Sequence, residues 1–560
     1  MSATKKPNQE AAHDQISGSH GTRVNPLESD QSQLRQRPMG PAYRQVSRQD
    51  HDDQYLGLET EDSYQLDEIG NPDESKPVAK PSLKKDIWNV ILLVILYLLQ
   101  GVPNGLATGS IPFLLKERLS YAQLAIFSLV GYPYSLKLLW SPIVDSSYIK
   151  SIGRRKTWIV PIQLLSCALL YWLSLNIDGF FSSDPIDVRT LTYLFTLLVF
   201  LSATQDIAVD GWALTLLSEE NLSYASTCQT IGLTTGYFLS FTIFLALSSA
   251  DFCNSYLRSV PSEIGVVNLS SYLGFWALGY FLVTAYLVLF KKEIPEESHE
   301  DMNIVETYQT IIEICKLPHI HSMIGVLLLC KIGFICNDAV TSLKLIDLGF
   351  KKEDLALIAL IDFPFQIVFG FYAAKWSIGP RPLKPWLYAI FGRLFFSFIG
   401  SLVVMAYPAE GVTIPYFLLV IVVGVLTSFT STVQFVGMSA FFSQIADPYI
   451  GGTYMTFLNT LSNLGGTWPK YFVLEAVEYF TVAQCSVDDV SGQVLSCASE
   501  EGKKACKALN GTCTIMRDGY YWVNTSTILF SVAFFSLILI RLIHRLEVIP
   551  PSSWKIRRTK

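Results

Sequence analysis

Charged side chains set deep inside apolar stretches are the residues of this sequence with the greatest capacity for chemistry. Lys331 stands about ten residues into the apolar run 321–343, which at 1.5 Å per helical residue places it near the middle of a bilayer. A cation at that depth must hold either an acid of the chain, Asp338 being the nearest in sequence, or an anionic ligand. Lys137 falls near one end of the run 122–143, and Asp206 and Asp210 occupy similar depth in the run 190–212. The i,i+4 spacing of the two aspartates puts both on one helix face. Lys137, Asp206 and Asp210 therefore either pair and lock this half of the chain or form an entry site, where Lys137 meets an anion when Asp206 moves away. Arg393 lies in the corresponding third of the run 386–407. Its fork of donors suits bidentate anion contact or a gate.

Amides form a second set. Gln100 with Asn104, and Asn459 with Asn463, are i,i+4 pairs inside apolar runs. A polar side chain facing lipid is unsatisfied, so such pairs either line a cavity or bond between helices. Tyr132, Tyr134 and Trp140 offer ring faces or core packing. Gly451-Gly452 and Gly465-Gly466 permit close helix approach. Pro103, Pro112, Pro133 and Pro364 predict kinks.

The elements that hold these residues are membrane helices. Of the 560 residues 50% are hydrophobic and 16% charged, against about 25% charged in soluble domains. Residues 1–86 are polar and aperiodic and read as a disordered cytosolic tail. No short apolar leader opens the chain, so the first long apolar run is expected to act as an uncleaved anchor. A crossing helix needs about 20 apolar residues. Runs of that kind cover 87–107, 122–143, 157–177, 190–212, 225–248, 270–290, 321–343, 354–375, 386–407, 412–436, 453–479 and 521–543. The polar stretch 291–320 separates an N-terminal six-helix half (87–290) from a C-terminal one (321–543), and 544–560 forms a second tail. Twelve helices in a six-plus-six plan predict an all-α membrane protein of the major facilitator fold.

Lys and Arg mark orientation. Lys84, Lys85, Lys150, Arg154, Arg155, Lys156, Lys291, Lys292, Arg381, Lys384 and the basic C-terminus share one side when twelve spans are threaded, which makes both termini cytosolic. Lys351 and Lys352 fall on the other side and are expected to be neutralised by the adjacent Glu353 and Asp354. Four of the ten cysteines, Cys485, Cys497, Cys506 and Cys513, crowd the non-cytosolic loop 480–520. They imply two disulfides in one of three pairings. The sequons at Asn510 and Asn268 lie on that same side and are glycosylation candidates; Asn221 belongs to a cytosolic segment and stays unmodified.

The segment LKLLWSPIVDSSYIKSIGRRKTW (136–158) resembles the loop between the second and third helices of major facilitators, with Ser141 in place of the first glycine and Asp145 set farther from Gly153-Arg154-Arg155. Asp145, Arg154 and Arg155 are then a conformational latch. QGVPNGLATGSIPFLL (100–115), SLKLLWSPIVD (135–145), ATQDIAVDGWALTLL (203–217), QTIGLTTGYF (229–238) and ADPYIGGTYMTFLNTLSNLGGTWPK (446–470) together resemble the acetyl-coenzyme A transporter family of the endoplasmic reticulum membrane, over roughly residues 84–545. Bacterial muropeptide permeases are similar over the shorter segments.

The resemblance implies import of acetyl-coenzyme A from cytosol to reticulum lumen by alternating access, with lumenal acetyltransferases as downstream users. Such a polyanion needs cationic and amide donors and an aromatic face for adenine. Lys331 is the first choice for its phosphates, joined by Arg393 and Lys137, with Gln100, Asn104, Asn459 and Asn463 as amide donors and Asp206, Asp210 and Asp338 as gating or ion-pair partners. No cofactor or metal is implied. A homodimer is compatible with the sequence, which does not fix the oligomeric state. The main rival is a membrane-bound acetyltransferase. It would need a base within the membrane, yet the histidines lie outside the runs or at their edges, and GxSxG, HExxH and GxxxxGK[ST] patterns are absent. A non-transporting receptor fits poorly with so many buried charges.

Overall fold

A computed structural model describes residues 85–554 except 219–220, 222–223, 294–303, 378–380, 382, 446–450, 489–493 and 499. The expected tail before residue 85, most of the linker's acidic stretch and the basic end after residue 554 lie outside the described residues.

Among the described residues, ten helices are long and apolar enough to cross a membrane: Ile87–Lys116, Lys156–Ser182, Val188–Leu216, Tyr224–Ser248, Leu269–Leu289, Pro318–Asp347, Lys352–Ala373, Leu383–Met405, Ile414–Ile445 and Gly519–Val548. The other two of the twelve runs are also helical. The second is broken into Tyr121–Ser128, Tyr132–Leu136 and Ser141–Ser146 by single tight turns. The breaks fall next to Pro133 and Pro142, whose rings remove a helix hydrogen bond. The eleventh, Gly451–Phe480, is continuous but carries Lys470, Glu475 and Glu478. These two least apolar helices pack against each other across the halves, away from lipid. Several helices outrun the apolar runs that announce them. The first continues to Lys116, whose side chain is buried, because protein rather than lipid surrounds its last turns.

Glycines set the close crossing of the first and fifth spans. Gly101 and Gly105 on the first span face Gly232 and Gly236 on the fifth. A Cβ on Gly236 would stand 2.2 Å from the Leu98 carbonyl, and one on Gly101 2.4 Å from that of Leu233. Small residues at i,i+4 on both helices allow this contact. The first and seventh spans each contain one wide π turn, Leu106–Ser110 and Asn337–Thr341, at the same distance from the start of the span.

After the eleventh span a small lobe forms: β1 (Val482–Asp488), β2 (Val494–Ser496), the helix Glu500–Ala508 and β3 (Cys513–Arg517), in sheet order β2-β1-β3. Cys485 pairs with Cys506 and Cys497 with Cys513, with Cα separations of 5.7 and 6.0 Å. Cys485 stands opposite Cys513 in the ladder, yet each bonds elsewhere, because the short helix lays Cys506 over β1. Cys253 is buried without a disulfide partner. The end of the bundle that bears this lobe is called the disulfide end below, and the opposite one the linker end.

Candidate functional site

Halfway along the bundle the two halves enclose a cavity of about 510 Å³, within the range of small-molecule sites. Its floor is where the second and eleventh spans meet, with the Ser135 and Thr467 hydroxyls 2.8 Å apart. Asn104 and Thr108 face it from the first span, Lys331 and Asp338 from the seventh, Arg393 from the ninth, and Asn463 and Lys470 from the eleventh.

Lys331 occupies a break between the helices Pro318–Leu329 and Ile332–Cys336. Its ammonium donates to the Ser462 carbonyl at 2.7 Å, leaving donors for the cavity. The break lies against the eleventh span, where a Cβ on Gly465 would stand 1.9 Å from the Leu327 carbonyl. Glycine is therefore required for the approach that aims Lys331. Arg393 takes Asp338, donating to both carboxylate oxygens at 2.7 and 2.6 Å. It also donates to Gln434 at 3.1 Å and lies 4.0 Å over the Phe334 ring. Asp338 is thus the arginine's partner and not the lysine's. Lys470 lines the same wall with no hydrogen-bond partner among the described residues. Three cations against one carboxylate give the cavity a net positive lining.

Asn104 and Asn463 reach the cavity. Gln100 is fully buried on the first span with neither amide atom bonded, and Asn459 stands outside the lining. An i,i+4 spacing fixes a common face but not its direction, and each pair splits because the cavity covers only part of the face. Tyr134 lines the cavity with its hydroxyl buried and unbonded. Trp140 instead packs on Phe200 at 4.9 Å and donates to Thr204 at 3.1 Å.

A separate polar cluster lies inside the N-terminal half. The Lys137 ammonium sits 2.6 Å from Asp206 and 3.8 Å from Asp210. Tyr97 and Gln229 each donate to Asp210 at 2.8 Å. Three charges, one positive and two negative, tie the first, second, fourth and fifth spans together. At the linker end, Arg155 bonds Asp145 at 2.7 Å and Arg154 donates to the Asp145 carbonyl at 2.9 Å. The Glu293 carboxylate accepts from the Arg155 and Lys156 backbone N–H groups at 2.8 and 2.9 Å.

The disulfide end carries polar links between the halves that the sequence did not announce. Asp347 accepts from Lys116 at 2.8 Å and from the Tyr121 hydroxyl at 2.7 Å. Glu478 accepts from the Ala122 N–H at 2.5 Å, and Lys504 bonds Asp184. Lys352 reaches Glu117 at 2.8 Å and Lys351 reaches Asp251 at 2.6 Å. The expected neutralisation of Lys351 and Lys352 by Glu353 and Asp354 is corrected here: the direct ion-pair partners are acids of the other half, and Glu353 and Asp354 act on Lys351 only as nearby charges. The hydrogen bond from Lys351 holds the Asp251 carboxyl below its usual range and raises the lysine in turn. Asn510 and Asn268 are exposed at this end; Asn221 is buried with its amide donating to Asp86.

Comparison with known proteins places this geometry. The family described as acetyl-coenzyme A transporter 1 matches residues 89–302, 294–382 and 378–556. An uncharacterized membrane protein of Saccharomyces cerevisiae is 42% identical over 549 residues, 84% of this chain and 98% of its own. The anhydromuropeptide permease of Escherichia coli is 28% identical over 150 residues, 27% of this chain and 29% of its own. Among solved structures, a bacterial homolog of the human lysosomal transporter Spinster, inward-facing and unoccupied, has a TM-score of 0.55 at 14% identity over 85% of this chain and 98% of that one. A D-xylose–proton symporter has a TM-score of 0.51 at 13% identity, over 85% and 100%. Both share the fold of twelve helices in two six-helix halves. The chain belongs to the acetyl-coenzyme A transporter family and is a multi-pass membrane transporter of the major facilitator fold.

Proposed function

We propose that this protein imports acetyl-coenzyme A from the cytosol into the lumen of the endoplasmic reticulum. The observation that carries the reading is the cavity: among the described residues no carboxylate pairs with the ammonium groups of Lys331 and Lys470, and Arg393 stands beside them on Asp338. A polyanion that cannot cross hydrocarbon unaided is matched by such a lining. The phosphates bind first at Lys331 and Lys470. Arg393 joins if the ligand draws it from Asp338, which makes that pair a gate as well as a contact. Asn104 and Asn463 supply amide donors, and Tyr134 a ring beside them. Lys137, Asp206 and Asp210 act as the internal lock of the N-terminal half, and Asp145 with Arg154 and Arg155 as the latch.

Alternating access follows from where the halves hold each other. The polar links crowd the disulfide end, while at the linker end the Tyr308 hydroxyl reaches the Leu139 carbonyl at 2.6 Å. Opening the cavity toward the disulfide end requires those links to part. The basic loops support a cytosolic linker end, and the disulfides and the sequon at Asn510 support a lumenal disulfide end. Lumenal acetyltransferases then consume the acetyl group, and this chain performs no transfer itself.

The test is uptake into liposomes holding the purified protein, with label on both acetyl and adenine. Co-accumulation of both labels, competed by coenzyme A and absent from empty liposomes, is the expected result. Acetyl label bound to protein without adenine uptake would make it an acetyltransferase. No uptake of either would redirect the search to muropeptide-like anions.

A further inference from the structure

Beside the cationic cavity lies a second lobe of about 290 Å³ between the seventh, eighth and tenth spans. Phe113, Asp338 and Ser342 line both, so the two spaces share a wall. Their chemistry differs. The second lobe is lined by no cation among the described residues: aliphatic side chains alternate with hydroxyls, one amide and the carboxylates of Asp338 and Asp362, and Phe113 and Phe241, 5.5 Å apart, close it on the N-terminal half. Gly424 widens it: a Cβ there would meet only Ile358, at 3.6 Å.

One group in this lobe lacks what burial demands. Asp362 is 8% exposed. One carboxylate oxygen accepts from Gln366 at 2.7 Å and from Ser428 at 2.5 Å. The other, Oδ1, is buried with no partner, and no cation of the described residues pairs with the carboxylate. An acceptor left bare in the interior is costly. Across the lobe, the Asn337 side-chain oxygen accepts from Thr341 at 3.1 Å, whereas its NH₂ group has no partner among the described residues. An unused acceptor and an unused donor in one recess are the complement of an amide group.

We propose that this lobe is the subsite for the uncharged acyl-pantetheine arm of the coenzyme. It rests on the acetyl-coenzyme A reading and deepens it. The arm has two amides on an otherwise apolar, flexible chain ending in the thioester. Asp362 accepts an amide N–H, Asn337 donates to an amide carbonyl, and the phosphates stay at Lys331 and Lys470 in the larger lobe. A ligand with one highly charged end and one neutral end is thus met by a cavity divided the same way.

The experiment measures binding of two probes to the purified full-length protein: coenzyme A, and adenosine 3′,5′-bisphosphate, which has the charged end and no arm. Gly424→Leu fills the lobe. Asp362→Asn keeps its volume and turns an acceptor into a donor, and it stands in if the leucine variant does not fold. The expected result in either variant is a coenzyme A Kd raised about tenfold or more, a loss of roughly 1.4 kcal/mol, with bisphosphate binding unchanged. Equal weakening of both probes, or no change in either, overturns the subsite and leaves a water-filled recess. Failure of both probes to bind the unaltered protein overturns the acetyl-coenzyme A reading itself, and the subsite with it.

Discussion

Replacing Lys470 by Met separates binding from folding. Its ammonium lines the cavity without a hydrogen-bond partner among the described residues, so no hydrogen bond among them is broken. A charged group leaves a partly desolvated site, where ions cost several kcal/mol unless compensated. The variant should be as stable as the parent, or more stable by up to about 2 kcal/mol. Affinity should move the other way. A hydrogen bond to a charged partner contributes about 1.5–3 kcal/mol, so the Kd for acetyl-coenzyme A should rise about 10- to 150-fold. Lys137→Met supplies the contrast. It strands Asp206, which is 2% exposed and 2.6 Å from the lysine, and breaking such a pair costs about 3–5 kcal/mol. The assay is paired: thermal unfolding in detergent, and equilibrium binding of radiolabelled acetyl-coenzyme A, for both variants. If Lys470→Met melts as early as Lys137→Met while keeping parental affinity, Lys470 is a structural residue and the reasoning fails.

Three further outcomes are expected. Gly465→Ala places a methyl 1.9 Å from the Leu327 carbonyl, a distance no Cβ tolerates. The eleventh span must move off the break that aims Lys331, and uptake should fall to background in reconstituted liposomes even where protein reaches the membrane. Asp86 stands at the start of the first span, and hydrogen bonds from Asn221 and Ser218 pull its carboxyl from 3.8 down to about 2. Its stabilisation is present above the unfolded value and lost as pH falls from about 3.8 to about 2. Melting temperatures should show that acid-sensitive step in the parent and not in Asp86→Asn. Finally, Cys485→Ser with Cys506→Ser should destabilise no more than either single change, about 2–4 kcal/mol. Cys485→Ser with Cys513→Ser should cost both bonds and add two thiols, Cys497 and Cys506, to those that maleimide labels in the parent.

Much of this arrangement is legible in the chain because membranes make simple demands. Apolar run length locates the spans, and four cysteines in one loop announce a cross-linked lobe. The depth of Lys331 follows from counting residues. What the count misses is rotation and partner choice. Arg393 meets Asp338 because the π turn at Asn337–Thr341 turns the seventh span's acidic side chain toward the ninth, and no apolar pattern records a π turn. Lys470 stands far along a helix whose glycines and asparagines dominate its appearance, and only the crossing with the seventh span brings it beside Lys331. Asp362 was likewise hidden, a single acid in an apolar run until Ser428 and Gln366 are placed around it. The ion pairs of the disulfide end join residues such as Glu117 and Lys352, more than two hundred positions apart.

The paired π turns of the first and seventh spans give the two halves matching walls on the cavity. Each turn holds one residue beyond ordinary helical spacing, so the face presented after it is rotated from the face before it. Asn104, Ala107 and Thr108 occupy the same places relative to the first turn as Ile335, Asp338 and Ala339 do relative to the second. Six side chains, three from each half, thereby address one cavity from matching positions with unlike chemistry, amide against aliphatic and methyl against carboxylate.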